Sequence, residues 1–237
     1  MLFSVLLITF AIFFAAGPFI KHDSAAGWSI DRSPTAFQII SAWRTALWFG
    51  LGGLCAVLVV MAAFLLGASC LGREFDYGTL EFLLTLPRHR AYFVWVAWAV
   101  SIAELLLMIT LAVLLAFWIL ATLGPGVYTW RFPAMILYLF VGGAVVFGLT
   151  QFMAVVLRNS VRGLSWSLGI FLLHLFMAFA INSWANVHFP SLVDLILESR
   201  WAADPTKPVV GLALGGWAIL AAAFPILTRS VFVRFDV

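Results

Sequence analysis

Long apolar runs separated by short clusters of charge organise this chain. The runs cover residues 1–20, 45–72, 91–122, 133–157, 163–183 and 208–228, and only Glu104 puts a charge inside the third. Each is about as long as the 20 or so helical residues needed to cross roughly 30 Å of hydrocarbon. Lipid cannot satisfy an open sheet edge, and the runs lack the alternation of barrel strands, so helices are the expected form. The pattern predicts an all-α membrane protein with six transmembrane helices in a single domain, 1–237. The first run has neither a basic flank before it nor a small-residue cleavage site after it, so it reads as a retained span rather than a removed signal.

Three stretches between the spans have patterns of their own. In 80–88, Leu80, Leu83 and Leu84 follow helical spacing while Glu81, Thr85 and Arg88 take another face. Gly78 precedes this helix and Pro87 disfavours helical geometry at Leu86, which limits it to about two turns at the membrane surface. In 189–201, Phe189, Leu192, Val193, Ile196 and Leu197 make an apolar stripe, with Asp194 and Glu198 on the polar side. That segment is too short and polar to span, so it is expected to lie in the outer interface or to re-enter from it. In 21–40, Ser33 followed by Pro34 reads as a helix start feeding the second span, after an exposed loop.

Composition narrows the function classes. The 237 residues are 65% hydrophobic and 10% charged, and the net charge of +3 comes from 13 dispersed basic residues, an arrangement that disfavours nucleic-acid binding. Cys55 and Cys70 lie about 22 Å apart along one predicted helix, so they cannot bridge one another. Six spans place both termini on one side. The loop cations divide almost evenly: Arg73, Arg88, Arg90, Arg158, Arg162, Arg229 and Arg234 fall on that side, and Lys21, Arg32, Arg44, Arg131, Arg200 and Lys207 on the other. Charge bias alone therefore leaves the orientation open.

Charge is concentrated in 72–90, GREFDYGTLEFLLTLPRHR. Its pattern of Arg73, Glu74, Gly78, Thr79, Leu80, Glu81, Leu83, Leu84, Pro87, Arg88 and Arg90, set between the second and third spans, resembles the coupling-helix segment of type-2 ATP-binding-cassette exporter permeases. The six-span layout and the outer helix before the last span are similar to that family too. The resemblance implies that 72–90 docks on a separate cytoplasmic ATPase subunit and passes its closure to the spans. It further implies cytoplasmic termini, a bacterial inner (plasma) membrane location, a second permease subunit in a homodimer or heterodimer, and surrounding membrane lipid. This chain itself would hold no cofactor, with ATP and Mg bound by the partner. Many family members carry an amphipathic cytoplasmic helix before the first span, whereas here the apolar run begins at Leu2.

The residue chemistry is compatible with docking. A two-turn helix between Gly78 and Pro87 moves as a unit, its leucines suit an apolar groove, and Glu81, Arg88 and Arg90 suit a polar rim. The plainer alternative is a connector resting on lipid headgroups, but Glu74, Asp76 and Glu81 are poorly matched to an anionic leaflet. No G-x-x-x-x-G-K-[ST] loop occurs, since the only lysines, Lys21 and Lys207, follow Ile and Thr. If ATP drives this protein, another chain binds it.

Within the spans, Glu104 and His174 fall at similar depths of roughly 17 Å, and an intramembrane acid is a functional candidate by default. The two either pair inside the bundle or each satisfy nearby groups such as Ser101 and Thr110. Gln151 and Asn182 are candidates for substrate contact or for interhelical hydrogen bonding, and Gly211 with Gly215 for close packing within the subunit or at a dimer seam. Several tryptophans, among them Trp28, Trp130 and Trp184, fall near span boundaries as an aromatic belt. No H-E-x-x-H or G-x-S-x-G motif occurs, so an enzyme is not the expected reading. Two other classes stay open: an ion-coupled carrier using Glu104, and a membrane scaffold or assembly factor using the surface helix.

Overall fold

The computed structural model describes residues 20–23, 27–30, 36–79, 90–122, 132–184, 191, 192, 196 and 211–234. Two short strands come first, β1 (Ile20–Asp23) and β2 (Gly27–Ile30). Among the described residues six helices follow: α1 (Ala36–Cys70), α2 (Gly72–Asp76), α3 (Arg90–Thr122), α4 (Phe132–Leu157), α5 (Ser160–Trp184) and α6 (Gly211–Val233). Five of them contain stretches long and apolar enough to cross a membrane: Gly53–Cys70, Tyr92–Trp118, Pro133–Leu157, Ser160–Ile181 and Leu214–Val233. The protein is a multi-pass, helical membrane protein. The first predicted span, the helix predicted over 80–86 and most of 189–201 lie outside the described residues.

Element boundaries depart from the apolar runs where charge was taken as a stop. α1 begins at Ala36 rather than 45 and passes through Arg44, and α6 continues past 228 through Arg229 to Val233. Arginine is a good helix former, so a charge marks where lipid ends and not where a helix must end. The loop expected before Ser33 contains the β1–β2 hairpin instead, with Ile20 opposite Ile30, Lys21 opposite Ser29, His22 opposite Trp28 and Asp23 opposite Gly27. Backbone pairing satisfies N–H and C=O groups whatever the polarity of the side chains, and the three residues 24–26 match a common hairpin spacing.

The chain divides into two compact units, Met1–Leu54 with Leu114–Val127, and Cys55–Val113 with Tyr128–Val237. The first contains the hairpin. The second contains the main core, built on α4, in which every residue from Val141 to Gly148 is buried. Its neighbours bury far less: 72% of the α4 span is buried against 11% of the α5 span. Phe64, Leu105, Ile109, Leu139, Phe147 and Phe224 are among the side chains that fill this core. Since lipid is as apolar as these side chains, close van der Waals packing holds the helices together, and small residues permit it. Gly163 of α5 is one such place, where an added Cβ would lie 2.4 Å from the Cα of Ala154 in α4.

A second cluster fixes the directions of the helices. Leu71, Val94, Val155 and Phe232 pack together, which gathers the C-terminal ends of α1, α4 and α6 and the N-terminal end of α3 at one end of the bundle. Ser160, the first residue of α5, joins them against Gly72. The five long helices therefore alternate in direction from one to the next. Elsewhere, Leu192 and Ile196, one helical turn apart, are buried in the main core. Ile196 sits against Gly142 of α4, so these two stripe positions pack on the protein.

Candidate functional site

The end of the bundle that carries Arg73 holds the densest polar geometry among the described residues. Leu71 is buried in the second cluster and Phe75 lies edge-on to Phe232, with ring centroids 6.4 Å apart. Helix α2 thus turns one face to the spans and leaves Arg73, Asp76 and Tyr77 exposed. Gly72 permits the approach, because a Cβ there would lie 2.9 Å from the Cα of Ser160.

The helix ends in a closed turn. The N–H of Tyr77 donates to the Arg73 carbonyl at 3.0 Å and that of Gly78 to the Phe75 carbonyl at 3.3 Å. Gly78 has φ +68°, the left-handed conformation that a side chain disfavours and that commonly ends a helix. Across this turn the Thr79 hydroxyl donates to the Glu74 carboxylate. Glu74, Gly78 and Thr79 of the sequence pattern are therefore three parts of one helix stop. Arg73 donates to the Tyr77 hydroxyl at 3.4 Å, with its guanidinium 5.6 Å from the ring centroid. That hydrogen bond pushes the Arg73 pKa up, so its charge is fixed at every physiological pH.

Asp76 reaches out of the segment. Its carboxylate accepts from the Asn159 side-chain amide at 2.9 Å, from the Ser160 N–H at 3.3 Å and from the Ser160 hydroxyl. Asn159 in turn caps α5, its Oδ1 accepting the Arg162 N–H at 2.8 Å. The α4–α5 connection that receives Asp76 is tight. The N–H of Asn159 returns to the Ala154 carbonyl at 3.2 Å and that of Arg158 to the Val155 carbonyl at 3.2 Å. Arg158 takes φ 50°, the position where glycine is usual in this helix-ending motif. Asp76, Asn159 and Ser160 carry no sequence signal of their own, since the partners are 83 and 84 positions apart.

The remaining sequence candidates are dispersed. Leu80, Glu81, Leu83, Leu84, Pro87 and Arg88 lie outside the described residues, and Arg90 opens α3 without a described side chain. Glu104 is exposed on α3 beside Leu105, which is buried against Gly143 of α4. His174 Nε2 accepts the Leu192 N–H at 3.1 Å, and its ring stands edge-on to Trp217 with centroids 5.5 Å apart. Gln151 is fully buried and donates through Nε2 to the Cys70 sulfur at 3.3 Å, while its Oε1 has no hydrogen-bond partner among the described residues. Asn182 lies in α5 with its side chain outside the described set. Gly211 opens α6, and an added Cβ at Gly215 would meet nothing within 4 Å, so Gly215 makes no close approach among the described residues.

This arrangement is suited to mechanical work. A short, exposed, capped segment sits on the ends of the spans and is bonded to the start of one of them. No curated protein sequence matches the chain. The family described as "ABC-2 family transporter protein" matches residues 1–189, a range that includes the Arg73 segment and the first five predicted spans, and the chain belongs to that family.

Proposed function

We propose that this chain is the permease of an ATP-driven exporter, in which a separate cytoplasmic ATPase grips the 72–90 segment and its closure moves the spans. Membrane subunits of the family are in general permeases that partner with a cytoplasmic ATPase subunit. The observation that carries the finer reading is the build of residues 71–79. Leu71 and Phe75 anchor the segment on the ends of the spans, and the Gly78 turn with its Glu74–Thr79 bond closes α2 just before the stretch that carries Leu80 and Glu81 in the sequence. On this reading the Arg73 end faces the cytoplasm, Leu80, Leu83 and Leu84 enter a groove of the ATPase, and Glu81, Arg88 and Arg90 meet its rim. ATP and Mg belong to the partner, and a second permease subunit completes the complex in the bacterial inner membrane.

The test is a gentle-detergent purification of the tagged protein from its native membrane, with mass spectrometry of what accompanies it, repeated with Glu81→Arg. The expected result is a co-purifying ATPase bearing a phosphate-cradling loop that the variant loses. Absence of any such ATPase under conditions that preserve other transporter complexes contradicts the proposal.

A further inference from the structure

We propose that Asp76 is the positioning residue through which movement of the 72–90 segment reaches α5, acting on the first turn of that helix. This rests on the permease reading above. Asp76 lies in the segment assigned to ATPase docking, yet among the described residues its carboxylate is bonded to the α4–α5 connection: the Asn159 amide, the Ser160 N–H and the Ser160 hydroxyl. A carboxylate on the first N–H groups of a helix is held both by hydrogen bonds and by the helix dipole, and both act along the axis of α5. Gly72 backs the link with a close approach to Ser160.

The packing of α5 makes this link useful. Its span is 11% buried, whereas α4 is 72% buried, so α4 is the frame and α5 the element freer to shift. One turn past Ser160, Gly163 rests directly on Ala154 of α4. Displacement at Asn159 and Ser160 then tilts α5 about that contact. The arms are about 4.5 Å from Ser160 to Gly163 and about 32 Å from Gly163 to Trp184. A small movement of the docked segment becomes a several-fold larger one at the far end of α5, the kind of hinge motion that packed helices use.

The test uses the full permease–ATPase complex in lipid nanodiscs, with spin labels carried on unnatural amino acids at Leu137 of α4 and Phe179 of α5, both exposed. In the wild type, trapping the nucleotide-bound state is expected to shift the Leu137–Phe179 distance distribution. Asp76→Ala, read only in complexes that retain the ATPase, is expected to lose most of that shift. Asp76→Cys combined with Ser160→Cys is expected to restore the shift on oxidation and lose it on reduction, which also serves if Asp76→Ala does not assemble. A full shift in Asp76→Ala, or in the reduced double-cysteine variant, overturns the proposal. So does a wild-type complex that hydrolyses ATP without any shift. A wild type that recovers no ATPase instead overturns the permease reading, and the role of Asp76 falls with it.

Discussion

The imidazole of His174 accepts the backbone N–H of Leu192 at 3.1 Å. The bond ties the 191–196 segment to the middle of α5 and occupies the ring nitrogen that a protonated imidazole would need as a donor, so His174 works here as a neutral acceptor. His174→Ala leaves a part-buried N–H without its partner, at a cost of about 1–3 kcal/mol. The expected outcome is a lower unfolding temperature and faster hydrogen exchange at the Leu192 amide, while ATPase co-purification persists. Unchanged exchange at Leu192 would remove His174 from this role.

Gly78→Ala places a side chain on a residue with φ +68°. The left-handed conformation costs an L-residue about 1–2 kcal/mol. The turn should therefore relax and the Glu74–Thr79 bond weaken, with a several-fold loss of ATPase recovered in pull-down. Full recovery of the partner would show that the shape of this turn is not needed for docking.

Glu104 separates the ATP-driven reading from an ion-coupled one. It is exposed on α3, ten residues beyond Val94, which marks the Arg73 end; that is about 15 Å of helix rise. A carrier that moves its proton through this carboxylate would stop with Glu104→Gln. For the ATP-driven permease, nucleotide turnover by the reconstituted complex should stay within about twofold of wild type, the effect of a substitution away from the machinery. Substrate transport that stops while nucleotide turnover continues would favour the carrier.

Gln151 tests the core. Its Nε2 donates to Cys70, but its buried Oε1 has no partner among the described residues. An unsatisfied buried acceptor costs about 1–3 kcal/mol, so an apolar side chain of similar size should be neutral or stabilising. Gln151→Met is expected to leave the unfolding midpoint unchanged or raise it, as read by thermal unfolding in detergent. A clear fall would mean that Oε1 is satisfied in the membrane.

The spans were legible because their signal is local: a run of apolar residues such as 133–157 identifies α4 almost to the residue. Boundaries set by charge were not, as Arg44 inside α1 and Arg229 inside α6 show. The β1–β2 hairpin was hidden because Lys21, His22 and Asp23 read as solvated loop, while its stability lies in backbone register. At the candidate site, Glu74, Gly78 and Thr79 were visible as a pattern, and the structure supplies the reason for their spacing. Asp76 could be noticed only as one more charge, because its meaning depends on Asn159 and Ser160 across the fold.

Site-directed photo-crosslinking in native membranes tests the central claim most directly. A photoreactive residue is placed at Leu84, and a control at Leu107, which is exposed on α3. The account predicts that Leu84 captures a chain whose peptides include a G-x-x-x-x-G-K-[ST] loop, and that Leu107 does not. If Leu84 crosslinks only to lipid in cells where the protein is folded and inserted, the 72–90 segment does not dock an ATPase and the account is contradicted.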